Sequence, residues 1–338
     1  MAAEKRLIRF DGQGNPVAIE FADPILGTLR IADPILTSQS QGFRNTELVG
    51  DVLFPAVPTE KETGKFPAFG QEAFKLHNTK RNLRGDVAKM NVVQGAVTLT
   101  LDEHSLGFEL DDRELEEFAV SKETLMLARQ FMVDDAVALE REINRAIAAT
   151  TSGNYSSSNK TSGAGFAWAS TGDPIQNIQT GREAIRQAIG RYPNVAIFDP
   201  KAWNLFRNNA AVRDRIKYSG SFNDRAMVST DIAASLLELN KVVVGTAVVG
   251  SGLGGGVGET ALTKQDVWGA VQQGNVILAY VGTGIMQPGF GMGAIKKGYP
   301  KATSYRWEPR KVMVYETEHI YGDIVTYADA GYLAYSIA

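Results

Sequence analysis

SKETLMLARQFMVDDAVALEREINRAIAA, residues Ser121–Ala149, is the longest helical pattern in the chain, and the fold follows from how it is read. It holds neither Pro nor Gly, and apolar residues recur at Leu125, Ala128, Met132, Ala136, Leu139, Ile143 and Ile147 in steps of three and four. That spacing predicts a helix with one buried stripe. Ser121 is read as its N-cap, Glu123 puts a carboxylate in the first turn where the dipole favours it, and Ser152-Gly153 supplies the stop. At about 1.5 Å per residue the rod would be roughly 40 Å long, more than a compact domain needs, so it reads as a beam carrying other elements. A surface helix of an ordinary enzyme is the competing reading.

Toward the N-terminus, the rod is preceded by an acidic run of Asp111, Asp112, Glu114, Glu116 and Glu117. Before that, Gly64–Leu76 and the alternating stretch Val92–Leu101 are expected to pair as one long hairpin. Its tip carries Lys80, Arg81, Arg84 and Lys89 with Gly85 and Asp86, a mainly basic turn for which the acidic run is a candidate counterpart. A two-stranded ribbon is marginal in water on its own, so a projecting one implies a surface to lie on. The first fifty residues have no core pattern, only scattered Leu7, Ile8, Phe10, Phe21, Ile25 and Leu29, and read as an extended arm. Within the arm, Ala22-Asp23-Pro24-Ile25-Leu26 returns as Ala32-Asp33-Pro34-Ile35-Leu36, two similar turns.

Toward the C-terminus, the Ser, Asn and Gly-rich stretch Thr150–Gly165 marks a boundary. Asp173-Pro174 then opens a helix that ends at Gly190, Asn194–Phe198 is a strand, and Asp199-Pro200 opens a second helix. A helix at Thr230–Leu239, a strand at Lys241–Val249 and another at Val276–Val281 complete an α/β region of mixed order. Gly282–Gly298 reads as a glycine-rich crossing, and the tail alternates through Val312, Val314, Tyr315, Ile324, Val325 and Tyr327 as sheet.

Composition narrows the function. Lys and Arg number 35 against 38 Asp and Glu, a net charge of −3, which is not the basic field of a sequence-specific nucleic-acid binder. There is no Cys, so disulfides, thiolate metal sites and a Cys nucleophile are excluded. The N-terminus has no apolar signal segment and no run is apolar enough to span a bilayer, so no membrane partner is expected. Gly250–Gly255 matches G-x-G-x-x-G, but the glycine tract continues to Gly258 where a dinucleotide loop would start a helix, so it reads as a surface loop and no cofactor is expected. Asp102-Glu103-His104-Ser105 holds triad residue types as strand neighbours, which point to opposite faces. His77, His104 and His319 stand alone, without the paired spacing that holds zinc. Tyr305, Trp307, Tyr315, Tyr321, Tyr327, Tyr332 and Tyr335 crowd the last strands, as core and interface residues do. No stretch supplies a full set of catalytic roles.

In this order, the elements resemble the major capsid protein family of tailed bacteriophages. The residues that carry the resemblance are Asp135–Ala149, DAVALEREINRAIAA, similar to the end of that family's spine helix, and Tyr192–Trp203, YPNVAIFDPKAW, similar to an early strand-to-helix step of its axial domain; Tyr315–Tyr332 looks like its closing strands. The resemblance implies an α+β capsid fold with an N-terminal arm (1–50), an extended loop (60–107), a peripheral domain (51–59, 108–160, 300–320) with spine helix 121–149, and an axial domain (161–299, 321–338). It implies no enzymatic residues. It further implies self-assembly as hexamers and pentamers into an icosahedral head around double-stranded DNA that is touched weakly and without sequence specificity. Portal and decoration proteins would be partners, and because the chain starts with only an arm, scaffolding is expected to be separate or absent. Localisation would be the virion after assembly in the host cytoplasm. Lys80, Arg81, Arg84, Lys89, Asp111, Asp112, Glu114, Gly252, Gly254 and Gly255 become the candidate subunit-interface residues. A nanocompartment shell around protein cargo shares the fold, and an oxidoreductase using Gly250–Gly255 is the reading from a different class.

Overall fold

The computed structural model describes residues 8–10, 16–18, 45, 47–81, 83–85, 87, 89, 94–113, 122–163, 166, 168–169, 172–219, 228–251, 262–271, 273–282 and 289–337. The chain forms two compact units, one of Met1–Phe43, Phe108–Phe131 and Tyr305–Val314, the other of Arg44–Gly107, Met132–Ser304 and Tyr315–Ala338. In the first, Ile8–Phe10 (β1) pairs antiparallel with Pro16–Ala18 (β2).

Then come the short helix Gly50–Leu53 (α1) and strands Ala56–Thr59 (β3), Thr63–Phe69 (β4), Gln94–Thr100 (β5) and Asp102–Asp111 (β6). The expected hairpin is present: β4 and β5 pair antiparallel from Thr63 opposite Thr100 to Phe69 opposite Gln94. Its base is anchored, since Leu99 and Leu101 are buried with Ala294 and Ile320.

The rod is one helix, Lys122–Thr150 (α2), 29 residues long. Its end is built from side chains and not from Gly153. Thr150 Oγ1 donates to the Ala146 carbonyl at 2.7 Å, Thr151 Oγ1 to Ile147 at 2.6 Å, Asn154 Nδ2 to Ala148 at 2.7 Å and Tyr155 Oη to Ala149 at 2.6 Å. Three of the four carbonyls that the helix end leaves without intrahelical partners, those of Ile147, Ala148 and Ala149, are thereby satisfied, and Ile147 also accepts from the Thr151 amide at 3.0 Å. Burial pushes the Tyr155 phenol well above its ordinary range, which keeps it a donor. Tyr155→Phe keeps the ring stacked on Phe290 and loses only this bond, so it is expected to cost about 1–2 kcal/mol by chemical denaturation.

The buried face of the rod differs from the expected stripe. Val133, Val137, Glu142, Arg145, Ala146 and Ala149 are buried, whereas Ala128, Met132, Ala136 and Ile147 are exposed. Apolar residues occur nearly all round the helix, so periodicity alone could not select the face. What decides is that Glu142 and Arg145 find buried partners, described below.

After α2 come Lys160–Ser162 (β7), Pro174–Ile189 (α3), Val195–Phe198 (β8), Pro200–Asn208 (α4), Ala210–Ser219 (α5), Thr230–Leu236 (α6) and Lys241–Val244 (β9). Both Asp-Pro helix starts work as read. Asp173 accepts from the Ile175 and Gln176 amides and Asp199 from Ala202, and Gly190 closes α3 at φ 72°. The expected strand Lys241–Val249 is broken: Gly245 turns back to the Phe198 carbonyl at 2.9 Å with the Trp268 ring against it, and the chain restarts as Val248–Ser251 (β10), pairing antiparallel with Thr263–Asp266 (β11). The rest is Val276–Ala279 (β12), Gly291–Lys296 (β13), Lys301–Trp307 (β14), Val312–Val325 (β15) and Gly331–Tyr335 (β16).

One sheet runs β7-β16-β12-β8-β9. In its central strands every residue is buried, and alternate side chains enter opposite cores. Ala196, Phe198, Val276 and Leu278 meet helices α3 to α6, while Val195, Ile197, Ile277 and Ala279 meet the end of α2, Trp268 and Phe290. The second sheet runs β14-β15-β13-β3, with β6 on β15. Strand β13 lies inside the expected glycine-rich crossing. A Cβ at Gly291 would stand 2.6 Å from the Phe54 ring and one at Gly293 2.6 Å from Asp323 Oδ1, so glycine there reflects close packing and not a loop.

Candidate assembly surfaces

The hairpin tip is the most exposed apolar element among the described residues. Leu76 and Leu83 are essentially fully exposed and Val87 and Phe74 more than half so. Lys80, Arg81, Arg84 and Lys89 are exposed beside them, and none forms an ion pair with a described residue. The tip has local order: Arg81 Nε donates to the Gly85 carbonyl at 2.6 Å, the Lys80 amide to Asn78 Oδ1 at 3.1 Å, and Arg84 takes φ 61°. Its root touches its own chain, where Gln71 Nε2 donates to the Ala188 carbonyl at the end of α3 at 2.9 Å.

The acidic lead-in is partly engaged inside the subunit. Asp112 takes a forked pair from Arg306 at 2.7 and 3.2 Å, and Asp111 accepts from the Arg113 amide at 2.8 Å. Glu114 lies outside the described residues, as do Gly252, Gly254 and Gly255. The flanks of that glycine tract are the antiparallel strands β10 and β11, whereas a dinucleotide loop needs a strand leading into the helix of a βαβ unit. Two open clefts measure about 420 Å³ beside Val248, Lys264 and Asp266, and about 340 Å³ between His104, Leu106, Val137 and Glu140. Among the described residues no group of three or more His, Asp or Glu could hold a metal, and no helix is long and apolar enough to cross a membrane.

The structure adds a joint that pattern reading passed over. Glu142, 1% exposed, accepts from the Val49 amide at 2.8 Å, the Gly50 amide at 3.0 Å and Trp268 Nε1 at 2.8 Å, and so ties α2 to the start of α1 and to the core cluster around Trp268. Next to it, Arg141 grips Asp323 of β15 through Nε at 3.0 Å and Nη2 at 2.9 Å, and about one turn on Arg145 bridges Asp323 at 3.1 Å and Asp51 at 2.8 Å. The burial of these charges shows only in the structure, since charged residues on a helix ordinarily face solvent.

No family model matches the chain. The major capsid protein of Burkholderia phage BcepMu is 34% identical over 318 residues, covering 91% of this chain and 97% of that one. This chain belongs to the tailed-phage major capsid protein family. A phage-related protein from Bordetella bronchiseptica RB50, solved by crystallography, superposes with a TM-score of 0.67 at 27% identity over 90% of this chain and 97% of that one. The capsid of cyanophage P-SCSP1u superposes at 0.54 with 13% identity over 87% of this chain and 89% of that one, a likeness of fold alone. The α+β capsid fold expected from the order of elements is therefore the fold of this major capsid protein, a non-enzymatic virion component that forms the head shell. Rod, hairpin and strand clusters are parts of a shell subunit, and the oxidoreductase reading falls.

Proposed function

We propose that copies of this major capsid protein close into hexamers and pentamers of an icosahedral head around double-stranded DNA, with arm 1–50 and the extended loop 60–107 lying across neighbouring copies. The observation that carries this is the pair of leucines, Leu76 and Leu83, held out in water on an ordered tip. Exposed large apolar groups clustered with charged ones mark contact surfaces, and many modest contacts add over a closed shell. The exposed flank of α2, with Leu127, Phe131 and Met132 about half-exposed or more, offers a second such surface. Lys80, Arg81, Arg84 and Lys89 at the tip, Asp111, Asp112 and Glu114 before the rod, and Gly252, Gly254 and Gly255 near the symmetry axes are the interface residues in this reading. The peripheral domain (51–59, 108–160, 300–320) and axial domain (161–299, 321–338) are its rigid parts. A near-neutral subunit of charge −3 suits a wall that holds DNA without gripping it, and portal and decoration proteins would be further partners, with scaffolding separate or absent.

The test combines Leu76→Asp and Leu83→Asp. Because both side chains sit in solvent, subunit stability should change by no more than about 0.5 kcal/mol per site. Shell yield by sedimentation and negative-stain microscopy should nevertheless fall at least about tenfold, since each defect recurs at every interface. Shells at wild-type yield would refute the role of the tip, and a wild-type protein that stays monomeric over a wide concentration range would refute the reading itself.

A further inference from the structure

Two of the three histidines in the chain, distant in sequence, meet where α2 lies on β6 and β15. Strand β15 presents His319, Tyr321 and Asp323 at alternate positions. His104 of β6 stacks on the Tyr321 ring, centroids 4.3 Å apart and planes 9° apart, and the Arg141 guanidinium lies 4.7 Å from the centre of the same ring. His104 Nδ1 is 3.5 Å from Glu140 Oε1. His319 Nε2 and Tyr321 Oη are buried with no hydrogen-bond partner among the described residues, which is unusual for buried polar atoms. The 340 Å³ cleft lined by Glu103, His104, Leu106, Val137 and Glu140 lets water reach the edge of this layer.

The geometry points to an acid-sensitive joint: protonation of His319 loosens the rod α2 from the β6–β15 layer. The groups facing the pair decide the sign. From α2 come Asp134, Glu140, Arg141 and Arg145, from β15 Tyr321 and Asp323, and from β6 the neighbouring Glu103. Protonated His319 meets Asp134 favourably, and Arg141 and His104 unfavourably, with a buried nitrogen that finds no acceptor. Burial holds the His319 imidazole below its ordinary range; Asp134, the next largest influence, pulls it back in part, and Arg141 and His104 add smaller downward pushes. Burial also pushes the Tyr321 phenol up to about 12, so it stays neutral throughout. A lowered folded-state value means that the unfolded chain binds the proton better. The stability contributed by neutral His319 is therefore complete above the ordinary imidazole value and lost as pH falls through its folded one.

This inference goes beyond the shell reading and does not depend on it, because the joint lies within one subunit. The test is hydrogen exchange of residues 132–141, corrected for intrinsic rate and referenced to α3, at about pH 7.5 and about pH 5. It is made on the purified protein, assembled or not. Wild type should lose roughly fivefold or more of its protection at the joint relative to α3 on acidification. His319→Gln should abolish the loss, and His77→Gln, at the hairpin tip, should leave it unchanged. Parallel loss in α2 and α3, or an undiminished loss in His319→Gln, would overturn the inference. Should His319→Gln not fold, titration of the wild-type His319 ring by NMR decides: a midpoint below that of a free imidazole supports the joint and one at or above it refutes it. Subunits that never build shells would refute the assembly proposal and leave this result standing.

Discussion

Glu142→Ala should destabilise the subunit by about 3–5 kcal/mol, a large share of the net stability of a folded chain. The side chain is 1% exposed and accepts from the Val49 and Gly50 amides and from Trp268 Nε1. Alanine removes the acceptor and leaves three buried donors with nothing to bind, each worth about 1–3 kcal/mol before partial relaxation and water entry, and it opens a cavity as well. Glu142→Gln is the informative companion. Its amide oxygen can keep the place of Oε1, which takes all three donors, but its NH2 group would face the Gly50 amide where Oε2 now stands at 3.0 Å. A loss of about 1–2 kcal/mol is expected, with Trp268 emission still that of a buried indole. Denaturation of dissociated subunits followed by Trp fluorescence separates the two. An alanine variant within 1 kcal/mol of wild type would show that the joint is not held by this carboxylate.

The same residue shows how far the sequence could be read. Glu142 sits in DAVALEREINRAIAA, where it looks like one more solvated charge on a helix, and its partners at Gly50 and Trp268 are 92 and 126 residues away. Local pattern carries no signal for contacts at such separations. What was local was legible: the rod, both Asp-Pro helix starts and the presence of the hairpin follow from periodicity, capping and alternation. Strand β13 was hidden because Gly291 and Gly293 look like loop residues until the Phe54 ring and Asp323 are seen pressing on them. The stripe on α2 was misplaced by the same logic. Hydrophobicity ranks Met132 and Ile147 as buried, whereas the chain buries Glu142 and Arg145 because buried acceptors and counter-charges await them. Of the candidate interface residues, the basic tip was legible as a solvent-facing turn. Nothing in one chain could reveal that Asp112 is already held by Arg306, 194 residues on.

Asp323→Ala should cost a comparable amount, about 3–5 kcal/mol, through charge and not through lost acceptors for amides. Its side chain is 4% exposed and neutralises two guanidiniums one helical turn apart, Arg141 through a forked pair at 2.9 and 3.0 Å and Arg145 at 3.1 Å. Arg145 keeps Asp51 at 2.8 Å when Asp323 is removed, so Arg141 is the cation left stranded in a mostly buried site. This asymmetry gives the test its sign. Adding Arg141→Met removes the stranded charge and fills much of its volume, so the double variant should regain at least about half of the loss, as expected when a buried ion pair is replaced whole. Adding Arg145→Met should regain less, because Arg145 was still paired. If both double variants are less stable than Asp323→Ala, then the packing of β15 against α2, and not compensation of buried charge, holds the rod to the sheet. The arginines would then be passengers on an apolar contact supplied by neighbours such as Val133 and Val137.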